Sequence, residues 1–563
     1  MLTKLKERDI MIPSTKVKTI NVSETRTWNT YGVNKDAQII FEEDLPAEMR
    51  DGIRLMTNVF RPSESGKYPA ILSLAPYGKH SYPPDKQFER IPNVGPLPFS
   101  EYTGWEMPDP VFWVPNGYIV VGADCRATNQ SEGEHFAHFD PQISRDFHDL
   151  VEWIAQQEWC DGNVGSNGVS YLAATQWLGA SENPPHLKAA IPWEGFNDFY
   201  REHVTHGGMP DTNFYREIWG RRMNSQTGFI AHDATAEDAV AEQKERPLMD
   251  EFWKTKHPDL SRINTAILAV ASWATAGLHT RGSIEGYKQA SSEYKWLYGH
   301  GRKEWETYYA REGLEKQKRF FDCFLKGHEN GWKESPRVCV EVRDYFYEGR
   351  ERFFDDFPIP ETDYRPLYLN AGDNSLSEEA AKEIKICKYA ARKSDSDEDA
   401  STWEYTFNEP VDLIGHMKLK LWVSAIGADD LDLHVAIKKF NKHGHEVFFP
   451  DFQHVEQGLT ASGWLRVSHR ELDEEKSTPW QPWLKHERLL KLNNEEIVPC
   501  EVEIIASATG FRAGDKLQLT IQGYDIIDVF NRFKHEDTVN EGYHVIYTGG
   551  QYDSHLLIPA VPV

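Results

Sequence analysis

The sequence predicts an α/β protein with an all-β domain joined to its C-terminal side. Two observations predict this. Between about residues 40 and 330, short apolar or β-branched runs alternate with longer helix-like stretches. That is the rhythm of a mainly parallel sheet covered on both faces. Beyond about residue 365 the runs become rich in Val, Ile and Leu, alternate with period two and are separated by turn clusters, as in an antiparallel sandwich. A chain of 563 residues accommodates about two to four such domains.

Taken in order, residues 1–40 are polar and read as an irregular N-terminal extension. Residues 41–196 and 263–330 form the α/β core, with strands over 53–60, 69–74, 118–122, 164–169, 189–192 and 266–271. Helices are expected over 144–157 and 170–181. Residues 197–262 break the rhythm. They are rich in Trp, Phe, Arg and Glu with no strand-like run, and connecting loops usually take only about 2–6 residues. They are read as a helical cap insertion over the sheet edge. Residues 331–364 read as a connecting segment and 365–563 as the β-sandwich, with strands over 417–423, 431–438, 502–505 and 517–521. The charge run 394–399 reads as a solvated loop.

Charge narrows the function classes. The net charge is −26, from 62 basic and 88 acidic residues. Such a surface repels phosphate backbones and anionic lipid, so neither nucleic acid nor membrane is an expected partner. No apolar run approaches the roughly 18–20 residues that span a bilayer. The first nine residues are too polar for a signal peptide, and a cytoplasmic location is expected. The six cysteines (Cys125, Cys160, Cys323, Cys339, Cys387 and Cys500) form no C-x-x-C pair, which argues against a zinc knuckle or a disulfide scaffold. The 18 Trp are read first as core packing.

The most informative stretch is 161–177, DGNVGSNGVSYLAATQW. A strand-like run ends at Val169, a helix-like run begins at Tyr171, and Ser170 sits on the sharp turn between them. A tight strand–turn–helix projects a serine hydroxyl outward at the top of a sheet, as in a nucleophile elbow. The amide of Tyr171 then opens a helix, where it can donate to an oxyanion. The generic G-x-S-x-G is half met, since its last glycine is Leu172 here. The competing reading is a helix-capping serine.

These residues belong to a wider pattern. Met49–Leu55 and Val59–Pro62 form an opening strand pair, Pro76-Tyr77-Gly78-Lys79 follows the next strand, and Ala123–Thr128 with Ser131–Gly133 approximates D-x-R-G-x-G-x-S-x-G. Gly168–Ala173 approximates G-x-S-Y-x-G, and Ala508–Leu517 forms a strand and turn near the C-terminus. Over most of its length the chain resembles the cocaine-esterase-like (CocE/NonD) hydrolases, relatives of the Xaa-Pro dipeptidyl-peptidases and α-amino-acid ester hydrolases. The resemblance implies an α/β-hydrolase core with a helical cap insertion, followed by an all-β jelly-roll domain. It departs from the family motifs at Ala127, Asn129 and Ala173, which replace glycines.

A nucleophilic serine needs a base, and the base needs an orienting acid. The order serine, acid, histidine and the strand-like run ending in Gly299-His300-Gly301 select His300 over His203, His206, His279 and His328. The resemblance implies an aspartate two residues after Trp273, but Thr275 stands there. Glu194, after the candidate sixth strand, is the substitute acid; Glu285 is weaker. A dyad with Thr275 and an impaired enzyme are the other outcomes. Tyr77 is the second oxyanion donor beside Tyr171, mostly by resemblance. Asp124 and Arg126 read as a buried ion pair. His135, His138 and Asp140 lack a helical H-E-x-x-H partner, so no metal and no cofactor are expected.

The expected reaction is hydrolysis of a small-molecule acyl ester through acyl-Ser170. An amide or Xaa-Pro dipeptide substrate is the alternative, with Glu202, Asp211 or Glu217 capturing an α-amine. A different class stays open: a catalytically degenerate hydrolase that binds carbohydrate or a partner through Trp464, Trp480 and Trp483. A homodimer is an open expectation.

Overall fold

A computed structural model describes residues 14–80, 90–91, 95–224, 229–393, 399–452, 456–527 and 533–563. The polar first nine residues and all but the last residue of the 394–399 charge run lie outside the described residues.

The core sheet runs β1 (Lys16–Asn21), β2 (Gln38–Glu48), β3 (Arg54–Pro62), β4 (Tyr68–Ala75), β5 (Ile119–Asp124), β6 (Cys160–Val169), β7 (Leu187–Trp193), β8 (Ala266–Ser272), β9 (Lys295–His300), β10 (Val338–Tyr345) and β11 (Glu348–Phe354) in chain order. In space the order is β1-β2-β3-β5-β4-β6-β7-β8-β9-β10-β11. The pairs from β5 to β10 are parallel and the outer pairs antiparallel. Central strands buried on both faces read as continuous apolar runs rather than alternating ones; every residue of β8 is buried.

Helix α1 (Pro141–Ala155) starts on Asp140, whose side chain accepts the Gln142 amide, with Pro141 in the first turn. Its buried Ile143, Phe147, Leu150, Val151 and Ile154 recur at i, i+4, i+7, i+8 and form one stripe against the sheet. Helix α2 (Tyr171–Ser181) is buried at every position, as a helix held between layers must be.

Three expectations about organisation need correction. The extension over residues 1–40 is not all irregular: within it β1 pairs antiparallel with β2 from Lys16↔Glu43 to Asn21↔Gln38. The segment read as a connection carries β10 and β11, and β10 adds itself parallel to β9, so the core sheet continues through it. The insertion is not simply helical. It holds two π-helical stretches, Tyr200–Val204 and Phe214–Met223, short α-helices Ala239–Glu245 and Glu251–Thr255, and a two-residue strand pair, Thr205–His206 with Met209–Pro210. Its hydrophobic content is spent on aromatic packing: Phe199 and Trp219 lie 4.9 and 5.9 Å from Phe139, and Trp219 5.4 Å from Tyr171.

The C-terminal region is β-rich. Its long strands β12 (Val411–Ile426) and β13 (Val498–Phe511) pair antiparallel from Val411↔Phe511 to Val423↔Val498. Their inward residues share one buried cluster with Leu433, Val435, Leu519 and Ile558. Arg343 on β10 pairs with Thr509 on β13, which joins the two sheets. Helix α3 (Ala276–Gln289) also ties the regions: its Arg281 pairs with Glu202 of the insertion at 3.0 Å and Glu503 of β13 at 3.1 Å. No helix among the described residues is long and apolar enough to cross a membrane.

Candidate active site

Ser170 stands where β6 stops and α2 starts, with φ 61° and ψ −115°. A non-glycine residue rarely adopts this backbone, and such strain persists only where surrounding structure enforces it. Here the Ser170 amide donates to the carbonyls of Trp193 (3.2 Å) and Glu194 (3.0 Å), and its carbonyl accepts from Ala173 and Ala174 at 3.0 Å each. Close approach explains the small residues. A Cβ on Gly168 would lie 2.6 Å from the Leu172 Cβ, and one on Gly195 2.4 Å from the Ala173 Cβ. Ala173 is tolerated in place of a glycine because the strand side supplies Gly195. Ser170 is 8% exposed.

Tyr77 emerges after β4, and its ring meets those of Tyr171 (5.8 Å) and Phe229 (5.7 Å) edge-on. Burial, then the charges of Glu106 and Glu304, push its phenol well above the usual range, while a hydrogen bond with the Ser170 hydroxyl opposes the shift. It is therefore a neutral donor beside Ser170. The Tyr171 amide lies in the first turn of α2, where amides have no intrahelical acceptor.

The predicted acid and histidine meet. His300 Nε2 lies 3.0 Å from Glu194 Oε1, with both side chains fully buried. Thr275 joins them: its hydroxyl donates to Glu194 Oε2 at 3.4 Å and to the Ser272 carbonyl at 3.2 Å. Burial, then the Glu304 charge, raises Glu194 well above the carboxylate range. Burial, then Lys316 and Arg302, lowers His300 to about 3. At neutral pH the imidazole is thus uncharged.

The link from this pair to Ser170 is missing. His300 Nδ1 accepts the Arg302 amide at 3.3 Å, and Nε2 also lies 3.1 Å from the Thr307 hydroxyl. Both nitrogens are engaged, and no hydrogen bond joins His300 to Ser170 among the described residues. His300 occupies the last position of β9.

A second pair was passed over. His279, in the first turn of α3, lies 2.9 Å from Glu304 through Nε2, and both are buried. Neither ring nitrogen makes a hydrogen bond. Glu304 is the carboxylate whose charge reaches Tyr77, Glu106 and Glu194. Glu106 in turn accepts the Val169 amide through its carbonyl (3.2 Å) and Trp305 Nε1 through its carboxyl (3.0 Å). The sequence signal available was the proximity of His279 to the Trp273–Thr275 segment; competition among 22 histidines hid it.

Other candidates take structural places. Asp124 and Arg126 do not pair with each other: Asp124 holds Lys79 at 3.0 Å, and Arg126 holds Asp146 (2.6 Å) and Asp51 (2.8 Å). His135 contacts Thr235, His138 contacts Asn224, and Asp140 caps α1. Glu285 is engaged by Lys288 and Gln481 at 2.8 Å each. Glu202 is held by Arg281, Asp211 accepts three backbone amides, and Glu217 pairs with Arg221. Trp480 stacks on Tyr364, and Arg281 lies over Trp483.

The chain is similar to known proteins over most of its length. Residues 51–302 match the family described as X-Pro dipeptidyl-peptidase (S15 family), and residues 330–557 the X-Pro dipeptidyl-peptidase C-terminal non-catalytic domain. A CocE/NonD family hydrolase from Staphylococcus aureus, known from a crystal structure, is 46% identical, with 97% of this chain and 96% of that one covered and a TM-score of 0.91. The cocaine esterase of Rhodococcus sp. (strain MB1 Bresler) is 29% identical over 376 residues, 57% of this chain. The match spans 61% of that esterase's length. An α-amino acid ester hydrolase shares the fold, with a TM-score of 0.70 at 15% identity.

Proposed function

The chain belongs to the CocE/NonD hydrolases, and from that premise we propose that it cleaves a small carboxylic ester through a covalent acyl intermediate on Ser170. The observation that carries this is the strained turn at Ser170, with the Tyr77 hydroxyl on one side and the opening amide of α2 on the other. The order β3-β5-β4-β6-β7-β8-β9, with the serine after β6, suits an α/β-hydrolase core, and the antiparallel C-terminal strands suit a jelly roll.

In this reading a histidine takes the Ser170 proton as Oγ bonds to the substrate carbonyl carbon. Tyr77 and the Tyr171 amide donate to the oxyanion. The histidine returns the proton to the departing alcohol, then draws one from water as the water oxygen attacks the acyl carbon, and gives that proton to Ser170 Oγ as the acyl–Oγ bond breaks. The sequence selects His300 with Glu194 for this role. For that pair to act, His300 must release the Arg302 amide and turn Nδ1 toward the serine.

A specific observation favours a second assignment. A base needs a nitrogen free to accept, and neither ring nitrogen of His279 makes a hydrogen bond, with Nε2 2.9 Å from Glu304. This makes His279 a second candidate for the proton acceptor, beside His300.

Ester rather than Xaa-Pro dipeptide is favoured because Glu202, Asp211 and Glu217 are each committed to a protein partner, which leaves none of the three to capture an α-amine. Comparing p-nitrophenyl acetate with Ala-Pro-p-nitroanilide tests this. Preferential turnover of the ester supports the reading; preferential turnover of the anilide overturns it.

A further inference from the structure

His434 on the strand Asp432–Phe440, Asp525 just beyond the strand Lys516–Gln522, and His535 come together on the C-terminal β region. One ligand-capable atom from each lies within 4.8 Å of the other two. Asp525 Oδ1 is 3.4 Å from His434 Nδ1 and 2.7 Å from His535 Nδ1. His434 is 1% exposed, and its Nδ1 makes no hydrogen bond. A buried imidazole nitrogen without one is costly, so an unpartnered nitrogen aimed at a carboxylate calls for a ligand.

We propose that His434, Asp525 and His535 bind a divalent transition-metal ion, zinc by the chemistry of the donors, at a structural site separate from Ser170. Two imidazoles and a carboxylate are a common zinc set. Bonds of about 2.0–2.1 Å in a tetrahedron put donor atoms roughly 3.4 Å apart. The His434–Asp525 separation already matches; the His535–Asp525 pair must open by about 0.6–0.7 Å on that geometry. The Asp525 side chain is 19% exposed, so water can reach the fourth position.

The surroundings suit an ion. Asp525 Oδ2 accepts the His535 amide at 2.9 Å, which fixes the carboxylate. His535 Nε2 lies 3.1 Å from His206 Nδ1. When metal takes Nδ1, the His535 proton resides on Nε2 and donates to His206, the outer-sphere bond that orients ligating histidines. Because His206 belongs to the insertion, the ion would tie the insertion to the β region.

The test uses the full chain, stripped with chelator and titrated with zinc chloride, and cobalt(II) chloride for its visible spectrum. One zinc per chain, a raised thermal midpoint and the bands of a nitrogen- and oxygen-ligated four- or five-coordinate cobalt ion are expected. His434→Gln and Asp525→Asn should each keep the metal-free far-ultraviolet circular dichroism spectrum and lose both the zinc-dependent midpoint shift and the cobalt bands. Absence of stoichiometric uptake by the wild type would overturn the site, as would uptake and spectra unchanged in both variants. If one variant fails to fold, the other decides.

Discussion

Glu194 and His300 face each other at 3.0 Å with no exposure to solvent, yet the serine they were expected to serve makes no hydrogen bond to either side chain. Glu194 reaches Ser170 only through its backbone carbonyl, which accepts the serine amide at 3.0 Å. If His279 is the base, the pair serves instead to brace the turn that presents the nucleophile. Glu194→Gln should leave the thermal midpoint nearly unchanged, because burial already favours the uncharged carboxyl. It should lower ester turnover far less than the roughly 10⁴-fold cost of losing a triad carboxylate. A loss of that full size, measured as kcat on p-nitrophenyl acetate, would restore Glu194 as the orienting acid.

The two histidines separate by substitution, and for His300 by pH as well. Activity that needs a neutral base is lost as pH falls through that base's pKa, and kcat/KM reports the free enzyme. If His300 were the base, the acidic limb would sit near 3, where burial places it. The assignment to His279 predicts that His279→Gln abolishes turnover while His300→Gln keeps most of it. A limb near 3 that disappears in His300→Gln contradicts the assignment.

Buried neutral histidines also shape acid stability. His138, His300, His416 and His544 are lowered to about 3, chiefly by burial. The unfolded chain binds a proton at each below about 6.5 while the native state does not. Their contribution is complete above that pH and is lost progressively as pH falls toward 3. Replacing His416 with Gln should flatten the fall in thermal midpoint between pH 6.5 and 4; an unchanged slope would count against this.

Tyr77→Phe removes one oxyanion donor and keeps the ring contacts with Tyr171 and Phe229. A loss of about 10²–10³-fold in kcat with a small change in KM is expected. Equal loss for substrate binding alone would assign Tyr77 to packing.

The close approach behind the nucleophile is testable through stability. Gly195→Ala should cost about 1–3 kcal/mol by overpacking against Ala173. Ala173→Gly in the same chain should recover most of it, because the two Cβ positions collide directly. Denaturant unfolding of the double variant measures the coupling.

Much of the fold was legible because its signals are local. The runs ending at Val169 and beginning at Tyr171 carry both the strand–helix switch and the serine, and the match of residues 51–302 and 330–557 to the two S15-type families covers the same motifs. Strands β10 and β11 were not legible: β11 has an exposed face, and its Arg, Glu and Gly content masks the period-two pattern. The π-helical stretches have no periodicity that separates them from α-helix. Thr275 directed attention to Glu194, which follows a strand end and lies 3.0 Å from His300. The orientation of a single imidazole was beyond the sequence, because which way His300 turns depends on Arg302, Thr307 and Glu194 together.

The most direct test is covalent. Treating the wild-type chain with a fluorophosphonate and mapping the adduct by mass spectrometry should place one modification on Ser170, with none there in Ser170→Ala and parallel loss of ester hydrolysis. A chain that stays unlabelled at Ser170, or a Ser170→Ala variant that keeps its esterase activity, would contradict the account.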